Sequence, residues 1–403
     1  MSRNYSPYVA RRISPVLLLV LPLLALSGCS PEVKFRFNAV YALKQTKESD
    51  TEFNSERQVE IGNILTAMFG TPDAPHVPPL AGVDMQRLLD ERKLEFAAGP
   101  VASDELGRGH GLYREHCGHC HGITGDGAGP TAGFLNPYPR DYRMGVFKFK
   151  STPRGFKPTH EDLKRILLQG IPGTAMPTFL VLPENEIEAL IHYVRYLSIR
   201  GEFERVLLNY VATEIESDAR IIGEGSEQAE QTEIVRSLAL EVVEKWIAAE
   251  SMATAVPAPD PDREVAASIL HGREVFYGQI SNCAKCHGES QLGDGQTDDF
   301  NDWAKELEPK SESLAEYLQA GAFPPRNAQP RNLRLGVYRG GRRPVDLYWR
   351  IRNGIDGTPM PGSKTEILSD EDVWSLVEYV RSLPYESISQ PRLPASFQRE
   401  RPQ

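Results

Sequence analysis

Cys117-Gly118-His119-Cys120-His121 and Cys283-Ala284-Lys285-Cys286-His287 are two copies of one pattern, a pair of cysteines three apart with a histidine directly after the second. On a helical turn, positions i, i+3 and i+4 share a face, so both thiols and the imidazole of each copy point the same way. The chain has five cysteines, and the fifth, Cys29, ends an apolar N-terminal run. The count therefore divides into two identical groups and one separate residue.

C-x-x-C-H is the attachment signature of c-type haem: the thiols form thioethers with the two vinyl groups while the imidazole takes the iron from one side. Zinc would require two further ligands per site. A thioredoxin-like redox pair would sit in an α/β context, with no obligatory histidine after the second cysteine. Two matched copies behind an export signal favour two covalently bound haem c groups.

That export signal is read from Arg3, Arg11 and Arg12 leading into an apolar stretch from Val16 to Leu26. The stretch is too short to span a bilayer, which takes ~20 residues as a helix, and reads as a cleaved segment over residues 1–28. Leu26-Ser27-Gly28-Cys29 resembles the lipobox of bacterial lipoproteins, whose cysteine is lipidated and becomes the new N-terminus. The resemblance implies a membrane-anchored protein with its haem domains in the periplasm. The alternative is an uncleaved anchor or a simple secretory peptide with a stray cysteine.

At 403 residues, with 40% hydrophobic and 25% charged content, the chain has apolar material for more than one core. Removing Arg3, Arg11 and Arg12 takes the formal charge from −10 to −13. That acidity argues against nucleic acid, which demands a basic face, and suits a partner with a basic docking patch or serves solubility alone.

The motifs lie inside two copies of a longer repeat. Gly109-x-x-Leu112-Tyr113 precedes the first motif and Gly272-x-x-Val275-Phe276 the second. Gly122 and Gly288 follow the histidines, and Gly125-Asp126-Gly127 matches Gly293-Asp294-Gly295. Pro139-Arg140 with Arg143 and Gly145-Val146-Phe147 match Pro330-Arg331 with Arg334 and Gly336-Val337-Tyr338. The run Gly170-Ile171-Pro172-Gly173-Thr174-Ala175-Met176-Pro177 matches Gly354-Ile355-Asp356-Gly357-Thr358-Pro359-Met360-Pro361. Each copy ends in one apolar helical stripe: Ile187, Leu190, Ile191, Val194 and Leu197, then Val373, Leu376, Val377, Val380 and Leu383. Ser369, three residues before Asp372, marks a capping box, and Leu163 with Leu167, matched by Leu347 with Ile351, marks a short helix before each Met run.

With these elements in order, the chain resembles the class I cytochrome c family twice over. The resemblance implies an all-α protein of two tandem haem domains: an N-terminal helix running into C-x-x-C-H, Gly-rich loops, a Met loop and a C-terminal helix crossing the first. It implies Met176 and Met360 as distal iron ligands opposite His121 and His287, and so His/Met ligation, which tends to raise the reduction potential. Met144 aligns with Leu335 and is not required. His110, His160, His192 and His271 have no histidine counterpart in the other copy, and His116 pairs with Asn282. The family commonly turns a proline carbonyl near the motif toward the proximal imidazole. Gly129-Pro130 offers one in the first copy, where the second has Gln296-Thr297, which would give two haems of different potential.

The expected organisation is a signal over 1–28, a spacer or docking region over 29–102, haem domains over 103–200 and 263–386, a helical and Pro-rich linker over 201–262, and a tail over 387–403. Helices are expected from Glu56 to Met68, in the inserted stretch at Trp303–Leu307 and Leu314–Leu318, and in the linker along Ile234, Leu238, Val242, Val243, Trp246 and Ile247, before Pro257, Pro259 and Pro261 stiffen the joint. The expected activity is single-electron transfer, with partners such as a respiratory oxidase or a quinol-oxidising complex. The rivals are a dihaem peroxidase, which needs a releasable position on one iron, and a subunit whose haems chiefly hold a docking surface.

Overall fold

The computed structural model describes residues 32–103, 109–300 and 312–393, and the elements below belong to the unit Lys34–Gln403. The expected signal, Cys29, the helix expected at Trp303–Leu307 and residues 394–403 of the tail lie outside the described residues. Among the described residues no helix is long and apolar enough to cross a membrane.

Short polar side chains start several of the helices by accepting backbone N–H groups that the first turn leaves unpaired. Asn38 caps α1 (Ala39–Ser49) and Asn54 caps α2 (Ser55–Phe69). A single turn, α3 (Met85–Leu88), leads to Asp90, which caps α4 (Glu91–Ala97). The antiparallel pair β1 (Ala102–Ser103) and β2 (Gly109–His110) is the one sheet among the described residues, so the chain is all-α in class. The first motif starts at Cys117, the break between α5 (Leu112–His116) and α6 (Gly118–His121), and continues through α6. A Thr159–Asp162 capping box begins α7 (His160–Gln169), followed by α8 (Glu184–Glu214) and α9 (Gln228–Ala249). The second copy runs through α10 (Val265–Tyr277), α11 (Cys283–His287), the inserted α12 (Leu314–Gln319) and α13 (Pro344–Asn353). It closes with α14 (Asp370–Ser382), started by the expected Ser369–Asp372 box, and α15 (Glu386–Ser389).

Two separate apolar cores follow from these stripes. In the second, Ile269 and Phe276 of α10 meet Val373, Leu376, Val377 and Val380 of α14, with Leu347 and Tyr348 of α13 below them. The crossing is close because Gly272 has no side chain: a Cβ there would collide with the Ser375 carbonyl. Each fully buried aliphatic side chain contributes ~1.5–3 kcal/mol, so one such stripe suffices to dock the helix.

The first core is larger than the repeat suggests. The residues expected as a spacer fold into it: Ile61, Leu65 and Phe69 of α2 and Leu94 and Ala97 of α4 are buried with Leu190, Leu197 and Phe203 of α8. Helix α8 does not stop where the repeat does; Phe203, Leu207, Leu208 and Val211 continue its buried face toward Glu214. The linker helix α9 also packs on α8. Its buried face is Val235, Ala239, Val242, Val243 and Trp246, turned slightly from the expected one, with Ile247 at the surface. The Trp246 indole N–H donates to Glu202 at 2.7 Å, fixing that rotation.

The Pro-rich joint is held to the second domain, its Thr254 and Pro257 carbonyls accepting from the indoles of Trp349 and Trp374 at 3.0 Å each. Between the two repeat domains, Asn353 Nδ2 donates to the Ser151 carbonyl at 2.9 Å, Tyr138 stacks on Phe323 with centroids 4.6 Å apart, and Arg326 lies over the Tyr138 ring at 3.7 Å. The interface is therefore built largely from polar and aromatic contacts. Helix α12 docks on α1 through Tyr317 against Val40 and through Lys47–Glu316 at 2.8 Å.

Candidate functional site

Each motif sits on a single helical turn ended by a glycine at positive φ, Gly122 at 75° and Gly288 at 83°. The aspartate of Gly-Asp-Gly folds back over that glycine: a Cβ on Gly122 would strike Asp126 Oδ1, and one on Gly288 would strike Asp294 Oδ1. Asp126 Oδ1 in turn accepts from the Ala128 N–H at 3.0 Å, and Asp294 Oδ1 from the Ser290 hydroxyl at 2.9 Å. The repeated glycines and aspartate are thus the frame of the loop after each histidine.

The four described cysteines are free, Cys117 buried and the others partly so. Burial pushes the Cys117 thiol up to about 12. Among the described residues, the side chains whose ligand atoms lie within 4.8 Å of one another are His160, Glu188 and His192, not the Cys-Cys-His groups. The zinc reading of the motifs, which needs converging ligands, loses its geometric support.

The motif histidine of the first copy is positioned by a carbonyl that sequence reading did not find. His121 Nδ1 lies 3.0 Å from the Arg140 carbonyl, to which it donates as the Nδ1–H tautomer, leaving Nε2 as the free lone pair. The Gly129-Pro130 segment has another use: Gly129 N–H donates to the Cys120 carbonyl and Ala132 N–H to Gly129, closing the turn after the motif. The matched carbonyl in the second copy, that of Arg331, also pulls the His287 pKa upward, but His287 Nδ1 makes no hydrogen bond of ordinary geometry. Both copies therefore use the Pro-Arg element, and the expected contrast between Pro130 and Thr297 is replaced by a contrast in how tightly that element grips the ring. Desolvation pushes His121 down to about 4 and lowers His287 likewise, so both imidazoles are neutral donors at pH 7. Tyr142 stacks on the His121 ring with centroids 4.7 Å apart and 14° between planes; Leu333 takes its place in the second copy.

The two Met loops are the same turn built twice. Thr174 Oγ1 donates to the Ile171 carbonyl at 2.7 Å and accepts from the Met176 N–H at 3.2 Å, while Ile171 N–H donates to the Met176 carbonyl at 3.2 Å. In the second copy Thr358 bridges Ile355 and Met360 at 2.8 and 3.3 Å, and Ile355 N–H reaches the Met360 carbonyl at 3.2 Å. Both methionines are half-buried, and Met176 packs against the first core.

The unmatched histidines have other work. His192 Nδ1 accepts from the Asp90 N–H at 3.0 Å, and His160 Nε2 lies 3.0 Å from Glu188. The Lys93 ammonium, 3.4 Å from Glu188 and 3.3 Å from His192 Nε2, already supplies a cation to this group. His271 pairs with Asp372 at 2.7 Å, and His116 lies edge-on to Phe179.

The donor set fits covalent haem: two free thiols and a neutral imidazole per copy, with one imidazole nitrogen tied back in the first copy and the other nitrogen left for iron. Comparison with known families gives the same answer. The family model described as cytochrome C oxidase, cbb3-type, subunit III, matches residues 104–194, and the cytochrome c model matches residues 269–384. The chain carries two c-type cytochrome domains in tandem. No curated protein matches. Among solved structures, a chain of the reducing HAO-like protein complex of Kuenenia stuttgartiensis is 26% identical with a TM-score of 0.45, over 68% of this chain and 93% of that one. These tandem cytochrome c domains imply two covalently bound haem c groups, for which Cys117, Cys120, Cys283 and Cys286 are suited, and a haem-based electron-transfer protein.

Proposed function

We propose that this tandem cytochrome is a membrane-anchored carrier of single electrons, with both irons closed by a histidine and a methionine. Bound haem supplies the one-electron Fe(III)/Fe(II) couple; the chain supplies ligands, orientation and exclusion of water. The observation that carries the reading is the pair of threonine-built turns with the same hydrogen bonds, presenting Met176 and Met360 in half-buried settings. Two polar devices of the same construction hold the two thioethers, which argues for one role in both domains.

In this reading Cys117 and Cys120 anchor one haem and Cys283 and Cys286 the other, with His121 and His287 as proximal ligands. The Arg140 carbonyl fixes the His121 tautomer and its ring angle, and stacking on Tyr142 limits ring rotation. Cys29 carries the lipid that holds the haem domains in the periplasm, a reading supported by the Leu-Ser-Gly-Cys sequence. Partners are redox proteins of a respiratory chain, such as a terminal oxidase or a quinol-oxidising complex. The oxidase-subunit description of the first matching family supports that direction, and the net charge of −13 after signal removal favours a partner with a basic face.

The test is the absorption spectrum of the reduced holoprotein before and after carbon monoxide. The native protein is expected to show no shift, and Met176→Ala or Met360→Ala each to expose about half of the haem. A shift in about half of the native haem would remove one methionine from the ligand set and turn attention to peroxide chemistry.

A further inference from the structure

The two Met loops share one internal construction but differ in what holds them from outside. Ile171 is followed by Pro172, and the matched Ile355 by Asp356. The connection from Phe147 to the N-cap Thr159 is longer than that from Tyr338 to the N-cap Arg343, and the longer one carries Lys150, Arg154 and Gly155. These three residues of the first domain reach the Met loop of the second. The Lys150 ammonium pairs with Asp356 Oδ2 at 2.9 Å, with both side chains at most 10% exposed. The Gly155 N–H donates to the same carboxylate at 3.1 and 3.3 Å. The Arg154 guanidinium donates to the Thr358 carbonyl at 3.1 Å and to the carbonyl of Met360 itself at 3.4 Å. Pro172 has neither a carboxylate nor an N–H for such a grip.

We infer that the Lys150–Arg154–Gly155 loop of the first domain is a positioning clamp on the Met360 loop of the second, so that ligation and potential of the second haem depend on contact with the first domain. The inference rests on the reading of Met360 as an iron ligand. The physical basis is the cost of breaking a buried ion pair, since Asp356 without Lys150 is a charge left in a poorly solvated site. Loop and clamp therefore move together or not at all. A ligand loop that loosens loses Met–iron bonding first, because a thioether is a weak, neutral ligand held by position.

The holoprotein with Arg154→Ala, Asp356→Asn and both together tests this, alongside Met360→Ala as the reference. Arg154 is 45% exposed, so its truncation leaves the core intact. The readouts are the two midpoint potentials by spectroelectrochemical titration, the sulfur-to-iron charge-transfer band of the ferric protein, and the fraction of haem that binds carbon monoxide. The double variant is expected to lower one potential only, to lose up to half of the band and to open up to half of the haem, while Arg154→Lys recovers the native values. Two unchanged potentials and an intact band in the double variant, with half of the band lost in Met360→Ala, would overturn the clamp alone. A band untouched in Met360→Ala would overturn the ligand assignment and the clamp with it.

Discussion

The second haem domain closes its core from its own repeat, whereas the first borrows a helix from outside. In the second, α10 runs 13 residues straight into the motif region and crosses α14 at Gly272. In the first, α5 before the motif has only 5 residues, preceded by the β1–β2 pair. The face of α8 that a full-length helix would cover is met instead by α4, with α2 alongside. Two segments alike in motif and loops can thus differ in self-sufficiency, because haem attachment is a local constraint while the helix crossing requires only that some apolar face arrive.

The largest effect should come from cutting that borrowed support. Phe69 is fully buried between Tyr196 and Phe203, with centroids at 6.3 and 5.8 Å. Phe69→Ala should cost ~3–5 kcal/mol and be felt in the first domain. Calorimetry of the holoprotein should show one transition falling and one holding; both falling together would mean that the interface joins the domains into a single cooperative unit and the contrast drawn here fails.

A smaller effect separates the domains by acid. His192 is buried and meets Asp90 N–H, Lys93, His160, Glu188 and Arg195; burial, then Lys93, Arg195 and His160, pushes it down to about 4, against a weak opposing pull from Asp90. The unfolded chain binds this proton near pH 6.5 and the folded one only near 4. Stability is therefore whole above pH 6.5 and lost as pH falls toward 4, by no more than about 3 kcal/mol. Denaturant unfolding at pH 7 and pH 4.5 should show this loss in the first domain, and His192→Gln should flatten it. The second domain has no histidine at the matched place.

The smallest effect lies at the helix starts. Ser369 and Asp372 form a capping box on α14, whereas Pro183 starts α8 with no side-chain cap. Ser369→Ala should cost about 1 kcal/mol, measured as a shift in the second domain's unfolding midpoint. A shift in the first domain's midpoint would show that the two starts are coupled.

Much of the site was legible because it is local. A C-x-x-C-H turn, the glycine after it, the Gly-Asp-Gly return and the Gly-Thr-x-Met-Pro loop each fold within a few residues, and the threonine and aspartate bonds now account for the repeat. All ten residues expected from the spacing are buried, nine of them on α8 and α14 and Leu383 as the residue that ends α14. What escaped reading is distant in sequence. The carbonyl on His121 comes from Arg140 rather than Pro130, a choice made by how the chain returns after a loop of 19 residues. The role of residues 34–103 escaped for the same reason: α1, α2 and α4 look like ordinary amphipathic helices until the length of α8 shows what they cover.

From the sequence alone came the two haem-attachment turns, their histidines and the doubled architecture, since these depend on spacings of three and four residues that a helix converts directly into geometry; the all-α class came from the family resemblance that those repeats carry. Only the tertiary structure decided which carbonyl steadies His121, which helix completes the first core and which residues of the first domain meet the Met360 loop. Those choices join residues tens to hundreds of positions apart, and they are set by which buried charge finds a partner and which apolar face finds cover.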